Sequence, residues 1–353
     1  MRKEAAVVAL GCAISGAIVL WWLSRTPEPI QSPPENAPPP PPHAWWVEID
    51  ELQPYRGDLP AYTRWLLWLA AQRNDDGSYG NGPAQLHDRP LGRTGLTALS
   101  LLPFFGAGYA PYSKELYVYE GGDWSFGKET RKSLQWLLRD QRVDGTFRSV
   151  ADGPFDQALA AFALSDIYGI TESPAWKQPA QRAVDALLKM QEPDGTWDGA
   201  GPTAWAIIAL YCARVSELTV DPSAFDRVPF SPGFPQHPGE ALARVLQKRD
   251  PKDAVFQILD ESRGRDATDV AWWYLATLSM WAYGGIRGKE WWDYKPGAEW
   301  GTWNDVVRER LLPAFRNDGS LEGKSPEDAI VRSCLAQLTL EVYYRYTCVF
   351  RPH

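Results

Sequence analysis

One short pattern recurs along this chain and constrains its fold more than any other feature. Four copies join Asp and Gly to Ser or Thr and then to a large apolar residue: Asp76-Gly77-Ser78-Tyr79, Asp144-Gly145-Thr146-Phe147, Asp194-Gly195-Thr196-Trp197 and Asp318-Gly319-Ser320-Leu321. An amphipathic stretch precedes each copy and a more apolar stretch follows it. Glycine adopts the left-handed conformation that ends a helix, while Asp with Ser or Thr caps free backbone groups. The pattern therefore predicts pairs of helices joined by glycine turns.

The spacing of the copies predicts the number of helix pairs. Gly195 and Gly319 lie 124 positions apart, about twice the usual interval. We expect a degenerate repeat between them, with DVAWWYLATLSMWAYGG, from Asp269, as its second helix. The segments 107–128, 214–240 and 285–303 are rich in Gly, Pro and aromatic residues and are predicted to be loops. The sequence thus predicts an all-α fold of about five helix-pair repeats.

The N-terminus has the character of a membrane anchor. Residues 5–23 form an uncharged apolar run of 19 residues, long enough to cross most of a hydrocarbon core of ~30 Å. Arg2 and Lys3 precede the run, and Trp21 and Trp22 stand where an interfacial belt is expected. The positive-inside rule then places the N-terminus in the cytoplasm and the main domain outside the inner membrane, in the periplasm.

A cleaved signal peptide is the alternative for this segment, although no small-x-small site follows the apolar run directly. Five consecutive prolines, Pro38–Pro42, lie in the stretch that comes next and favour an extended spacer. We accordingly divide the chain into an anchor (1–24), a Pro-rich linker (25–44) and a helical domain (45–353).

The string Q-x-x-D-G-[ST]-[WFY] resembles the prenyltransferase and squalene oxidase repeat, the QW motif of the squalene–hopene cyclase superfamily. The resemblance covers about residues 60–347 and implies an α/α toroid whose inner helices line a central cavity. The stretches LTLEVYYRY and DVAWWYLATLSMWAYGG are most similar to the membrane-attached bacterial repeat proteins of this superfamily, whose activity is undefined.

The catalytic motifs that this resemblance would imply are missing from the sequence. Class II terpene cyclases use an Asp-x-Asp-Asp acid, and the nearest string here is 266–269, an Asp-x-x-Asp. The zinc site of protein prenyltransferases needs Asp, Cys and His. Cys212 and Cys334 lie in apolar helices without an Asp two residues earlier, while His87 and His237 lie in loops. We expect no metal and no cofactor, and the cysteine spacing predicts no disulfide framework.

Polar residues near the starts of the second helices form the candidate site. Aligned by apolar pattern, those helices give one column, namely Gly95, Asp156, Ala204, Asp269 and Arg332, with Arg93 just before it. The column predicts a polar mouth that orients a ligand or an acid/base pair. Capping of the helix ends is the alternative. The candidate catalytic acids are Asp269, Asp266 and Asp156.

Tryptophan is abundant, with 18 in the chain. Those expected on inner helices, where they either contact a ligand or pack the core, are Trp205, Trp272, Trp273 and Trp281. Those in segment 285–303, where a lid or a protein-contact patch is expected, are Trp291, Trp292, Trp300 and Trp303.

The charge balance narrows the function. A net charge of −8 argues against a nucleic-acid partner, which would need a basic face. With the catalytic motifs absent, we expect a membrane-tethered binding or scaffold module whose ligand is an isoprenoid or another apolar small molecule. One alternative is a terpenoid cyclase-like enzyme that acts on an isoprenoid with an aspartic acid as proton donor. A second, suggested by the tryptophans and acidic residues, is a carbohydrate-active toroid.

Overall fold

Helices follow one another along the described part of the chain, joined by turns and two short hairpins. The computed structural model describes residues 61–86, 89–119, 122–151, 153–229, 264–286 and 299–341, with one to three residues at a time between 239 and 262. The named helices are α1 (Ala61–Ala71), α2 (Arg93–Gly106), α3 (Phe126–Asp140), α4 (Gly153–Thr171), α5 (Pro174–Lys189), α6 (Ala200–Val215), α7 (Ser223–Asp226), α8 (Val270–Ile286), α9 (Glu299–Leu311) and α10 (Pro326–Glu341).

The strands are short and pair only as hairpins. Strands β1 (Ala84–Leu86) and β2 (Arg89–Leu91) are antiparallel, as are β3 (Tyr117–Tyr119) and β4 (Gly122–Trp124). The described residues are therefore mostly helical, which confirms the all-α class. All three predicted loops contain regular structure, since β3 and β4 form within 107–128, α7 lies within 214–240 and α9 begins within 285–303.

The predicted anchor (1–24) and linker (25–44) lie outside the described residues. Among the helices that the structure does describe, none has the length and the apolar character needed to cross a membrane.

The four glycine turns share one geometry. In each, a carboxylate oxygen of the Asp accepts bonds from the backbone N–H and the hydroxyl of the Ser or Thr two residues later. For Asp144 and Thr146 these bonds measure 3.0 and 2.7 Å. Gly145 has a φ of +89°, a conformation that other residues adopt only at a cost. The turns predicted from the sequence are confirmed.

Each turn also packs against a helix of another repeat. A Cβ on Gly77 would lie 2.5 Å from the carbonyl oxygen of Lys132, in α3, and a Cβ on Gly145 would overlap that of Arg182, in α5. At the last turn, a Cβ on Gly319 would overlap the ring of Trp65, in α1. The turn at Gly319 thus contacts α1.

The second helices of the pairs also contact one another in a cyclic order. Helix α2 packs against α4, α4 against α6, α8 against α10, and α10 against α2. Between α6 and α8, Trp205 stacks on Tyr274 with ring centroids 5.5 Å apart. In α2 every residue from Thr94 to Gly106 is buried, as expected for a helix surrounded by others, whereas α3 is amphipathic and exposes one face.

One cysteine departs from expectation. Cys334 is a buried free thiol, but Cys212 on α6 is disulfide-bonded, although the spacing of the cysteines gave no signal for a pair. Disulfides persist in oxidising compartments such as the bacterial periplasm.

Candidate functional site

A cavity of about 740 Å³ lies where the N-terminal ends of α6, α8 and α10 meet. Hairpin β1–β2 contributes to its wall. Its lining includes Gln85, Arg89, Asp198, Gly199, Ala200, Gly201, Arg265, Thr268, Asp269, Trp272, Lys324, Ser325, Asp328 and Arg332. The volume is typical of small-molecule sites, but the lining is unusually rich in charged groups. The cavity is the candidate functional site, and three of the predicted residues line it: Asp269, Trp272 and Arg332.

Asp269 caps a helix and forms an ion pair. One carboxylate oxygen accepts a 3.3 Å bond from the Trp272 backbone N–H, in the first turn of α8. The other accepts a 3.2 Å bond from Arg265. Both carboxylate oxygens of Asp269 are therefore bonded to donors of the protein, one to the start of α8 and one to Arg265.

Asp266 belongs to a turn like the glycine turns and does not line the cavity. Its carboxylate accepts a 2.8 Å bond from the Thr268 N–H. This bond, with that of the Thr268 hydroxyl, lowers the pKa of Asp266. An exposed carboxylate with a lowered pKa is a poor proton donor, so the Asp-x-x-Asp string is better explained as the turn of the degenerate repeat.

Asp156 is fully buried and holds two loops together. It accepts backbone N–H bonds from Gly92 and Gly95 at the start of α2, at 3.0 and 2.7 Å, and from Ala151 before α4, at 2.8 Å. A carboxylate at the N-terminus of a helix is stabilised by these donors and by the helix dipole. The capping alternative therefore describes Asp156, although the helix that it caps is not its own.

The predicted column of equivalent positions is wrong in register. Thr97, Thr203 and Ser333 each accept a bond of 2.8–2.9 Å from the backbone N–H of the residue that ends the preceding turn, and so mark equivalent points on α2, α6 and α10. In the predicted column, however, Gly95 lies two residues before Thr97 and Ala204 lies one residue after Thr203. The apolar pattern alone did not fix the helix register to one residue.

Arg93 does not line the cavity. Its guanidinium bonds the Asp76 carboxylate at 2.7 Å and lies 5.3 Å from the centroid of Trp136. Partial burial raises the pKa of Asp76, but the bonds from Ser78 and Arg93 outweigh it and lower the pKa to about 2. Arg93 thus supports the first glycine turn.

The predicted aromatic set divides between core and cavity. Trp205 and Trp273 are fully buried, and the Trp273 indole N–H bonds the Asp266 carbonyl at 3.0 Å. Trp281 is half-buried and does not line the cavity. Trp272 alone of the four lies in the cavity wall.

The segment 285–303 is only partly described. Trp303, in α9, is fully buried, and its indole N–H bonds the Thr277 hydroxyl of α8 at 3.0 Å. It is therefore part of the core and not of a protein-contact patch. Trp291 and Trp292 lie outside the described residues, as does the side chain of Trp300.

Sequence reasoning missed several residues of the cavity because they come from distant segments. Arg89, in β2, forms an ion pair with Asp198, and Lys324 and Asp328 come from the turn before α10 and from its first turn. Asp198 has a φ of +59° and Gly199 one of +102°, so the chain reverses before α6. The only feature of the sequence that points to this part of the cavity is the string Gly199-Ala200-Gly201-Pro202, which has no side chain suited to capping a helix.

A second polar cluster lies deep among the inner helices and was also missed. Glu341 is buried at the end of α10, and this burial raises its pKa well above the ordinary value. It interacts electrostatically with Tyr274 and Cys334. One turn earlier, the buried amide of Gln337 bonds no described residue. No lining residue of the cavity on α10 lies beyond Leu335, so the cluster is separate from the cavity.

Within the described ranges, no group of three or more His, Cys, Asp or Glu side chains is arranged to hold a metal ion. Comparison with models of known protein families and with curated proteins finds no match to the chain.

Proposed function

We propose that this protein is a membrane-tethered binding module on an α/α-toroid scaffold of five helix pairs, and that its ligand occupies the cavity at the N-terminal ends of α6, α8 and α10. The observation that carries the proposal is the cavity itself: it has the volume of a small-molecule site, and its acidic residues are engaged in caps and ion pairs. Such a lining is suited to binding and orienting a molecule.

The cyclic contacts of the inner helices support the toroid. Helix α10 returns to α2, and the turn at Gly319 packs on Trp65 of α1. These contacts between the first and last repeats are those expected of the α/α toroid that the resemblance implies. Residues 1–24 are the proposed tether and 25–44 the spacer, with the toroid in the periplasm. The disulfide at Cys212 supports that oxidising location.

The character of the cavity bears on the ligand. An isoprenoid or another apolar molecule is the class expected from the resemblance. The charged lining favours a molecule that combines an apolar part with a polar group over a plain hydrocarbon, since charged side chains lose their hydration against hydrocarbon.

Acid catalysis is the second candidate, and Glu341 is the observation in its favour. Its raised pKa keeps the buried carboxyl protonated at pH values where exposed glutamates are ionised. The cavity ends six residues before Glu341 on α10, which is about 9 Å along the helix. A substrate in the cavity would not reach the acid, so binding without catalysis is the stronger proposal.

Small molecules that co-purify with the protein test the proposal. We expect mass spectrometry of the detergent-purified full chain to recover one compound in near-stoichiometric amount. Ala200→Trp places an indole at the exposed rim of the cavity and should remove the compound. Val143→Trp, at a position 95% exposed in the second glycine turn, is the matched control and should retain it. Recovery of no compound, or of equal amounts from both variants, would refute the proposal.

A further inference from the structure

Several hydrogen-bond donors of the residues that line the cavity have no acceptor among the described residues. Each of the three carboxylates in its lining already accepts a bond from the protein: Asp198 from Arg89, Asp269 from Arg265, and Asp328 from the backbone N–H of Lys324. The lining also contains donors for which the described residues supply no acceptor. Buried donors in native proteins are nearly always paired, so unpaired donors beside one cavity point to a missing partner.

The first such donor is Arg332. Its Nε is buried without an acceptor, and the guanidinium forms no hydrogen bond or ion pair with any described residue. Other arginines with an unbonded Nε, such as Arg93 and Arg182, bond an acceptor through a terminal nitrogen. The nearest charge is Asp266, whose pKa Arg332 helps to lower, but the two form no ion pair. Arg332 is therefore a cation of the cavity wall that has no ion-pair partner among the described residues.

The second donor is the indole N–H of Trp272. This residue is 4% exposed and lines the cavity, and its Nε1 has no acceptor among the described residues. The Arg265 guanidinium lies 4.6 Å from the ring centroid. Trp272 thus contributes to the cavity wall a ring that Arg265 holds in place.

The third set of donors is the start of α6. Helix α8 is capped by Asp269 and α10 by Ser325, whose hydroxyl accepts the Asp328 N–H at 3.1 Å. The N-cap of α6 is Gly199, which has no side chain to cap that end of the helix. The first N–H groups of a helix have no partner within the helix, and its dipole favours an anion there.

We propose that the cavity binds an organic oxyanion, either a carboxylate or a phosphate ester. The oxyanion accepts bonds from the Arg332 guanidinium and from the free N–H groups of α6, while the organic part lies against Trp272. This inference rests on the proposed function and names the class of ligand. Arg332 is suited to the role because its planar guanidinium matches the two oxygens of either anion.

Fluorine NMR with the full chain and three probes tests the inference. The probes are para-trifluoromethylbenzoate, the corresponding phenyl phosphate, and the corresponding benzamide as the neutral control. We expect at least one anion to bind more tightly than the amide, and the tighter anion identifies the source. Arg332→Gln should weaken anion binding by about tenfold or more, because a charge-assisted bond is lost. Arg316→Gln, which removes an exposed cation outside the cavity, should leave binding unchanged.

A second variant keeps the inference testable if Arg332→Gln does not fold. Ala200→Asp adds a carboxylate at the N-terminus of α6, where the helix dipole stabilises a negative charge, so the variant should fold. The same carboxylate should repel an anionic ligand. Ala200→Asn is the neutral control and should bind the anion normally. The inference is overturned if the amide binds as well as the anions, or if both Arg332→Gln and Ala200→Asp bind them normally. If the amide and the benzoate bind equally and Ala200→Trp abolishes the binding of both, the preference for an anion is refuted. The proposal that the cavity binds a ligand then still stands.

Discussion

Residue-scale energetics are clearest at Glu341, a carboxyl buried among the inner helices. Burial raises its pKa well above the ordinary 4.5, so the folded protein keeps a proton that the unfolded chain releases. The stabilisation is complete below pH 4.5 and declines as the pH rises above it, by up to about 1.4 kcal/mol per pH unit. Glu341→Gln is neutral in both states, so the variant should lose this decline.

Urea unfolding at pH 5 and at pH 8 measures the effect. The parent should lose more stability between the two pH values than Glu341→Gln does. Glu309→Gln, at an exposed position of α9, should behave like the parent. An identical loss in parent and Glu341→Gln would show that the carboxyl does not stay protonated in the folded protein.

Asp156 shows which residue roles the sequence could predict. Its position near the start of a predicted helix is compatible with capping, which is one of the two roles that the sequence predicts for it. The helix it caps is α2, however, and the bond to Gly95 spans 61 positions. Local signals identify a residue suited to capping, but only the tertiary contact identifies its partner. The same holds for Arg89, which meets Asp198 across 109 positions.

At the scale of elements, the glycine turns were predictable because their geometry is local. The Asp-to-Thr bonds span two residues and the positive φ requires glycine, so both are encoded in four consecutive letters. Hairpin β1–β2 has no comparable signal, because its register depends on contacts with other elements, including α10. The register of the inner helices was equally hard to predict. Helices such as α8 are hydrophobic on every side, so the apolar pattern does not show which residues face the cavity.

The glycine turn gives a prediction at this scale. Gly145→Ala should destabilise the protein by about 2–4 kcal/mol, because the new Cβ is strained at positive φ and collides with the Arg182 carbonyl of α5. Gly153→Ala is the matched control: it starts α4 and has open space around its Cβ. Chemical denaturation should find that control neutral or slightly stabilising, since alanine favours helix. Equal stability of the two variants would mean that the turn does not hold α5 in place.

At the scale of the whole molecule, cyclic contacts change how the repeats are expected to unfold. In an open repeat array each unit contacts only its neighbours, and terminal units unfold at low cost. Here the last turn packs on α1, where Trp65 also stacks on Phe315 with centroids 4.5 Å apart. The first and last repeats therefore stabilise each other, and we expect one cooperative transition for the helical domain.

Trp65→Ala tests this closure. The variant removes a large buried ring between the first and last repeats and should cost about 3–5 kcal/mol. If the ring of helices unfolds as a unit, the single urea transition moves to lower concentration, and far-UV circular dichroism and tryptophan fluorescence stay coincident. Gly145→Ala, placed away from this junction, should move the same transition. If the two signals separate in Trp65→Ala alone, with a first step at low urea, the terminal repeats unfold independently and the molecule behaves as an open array.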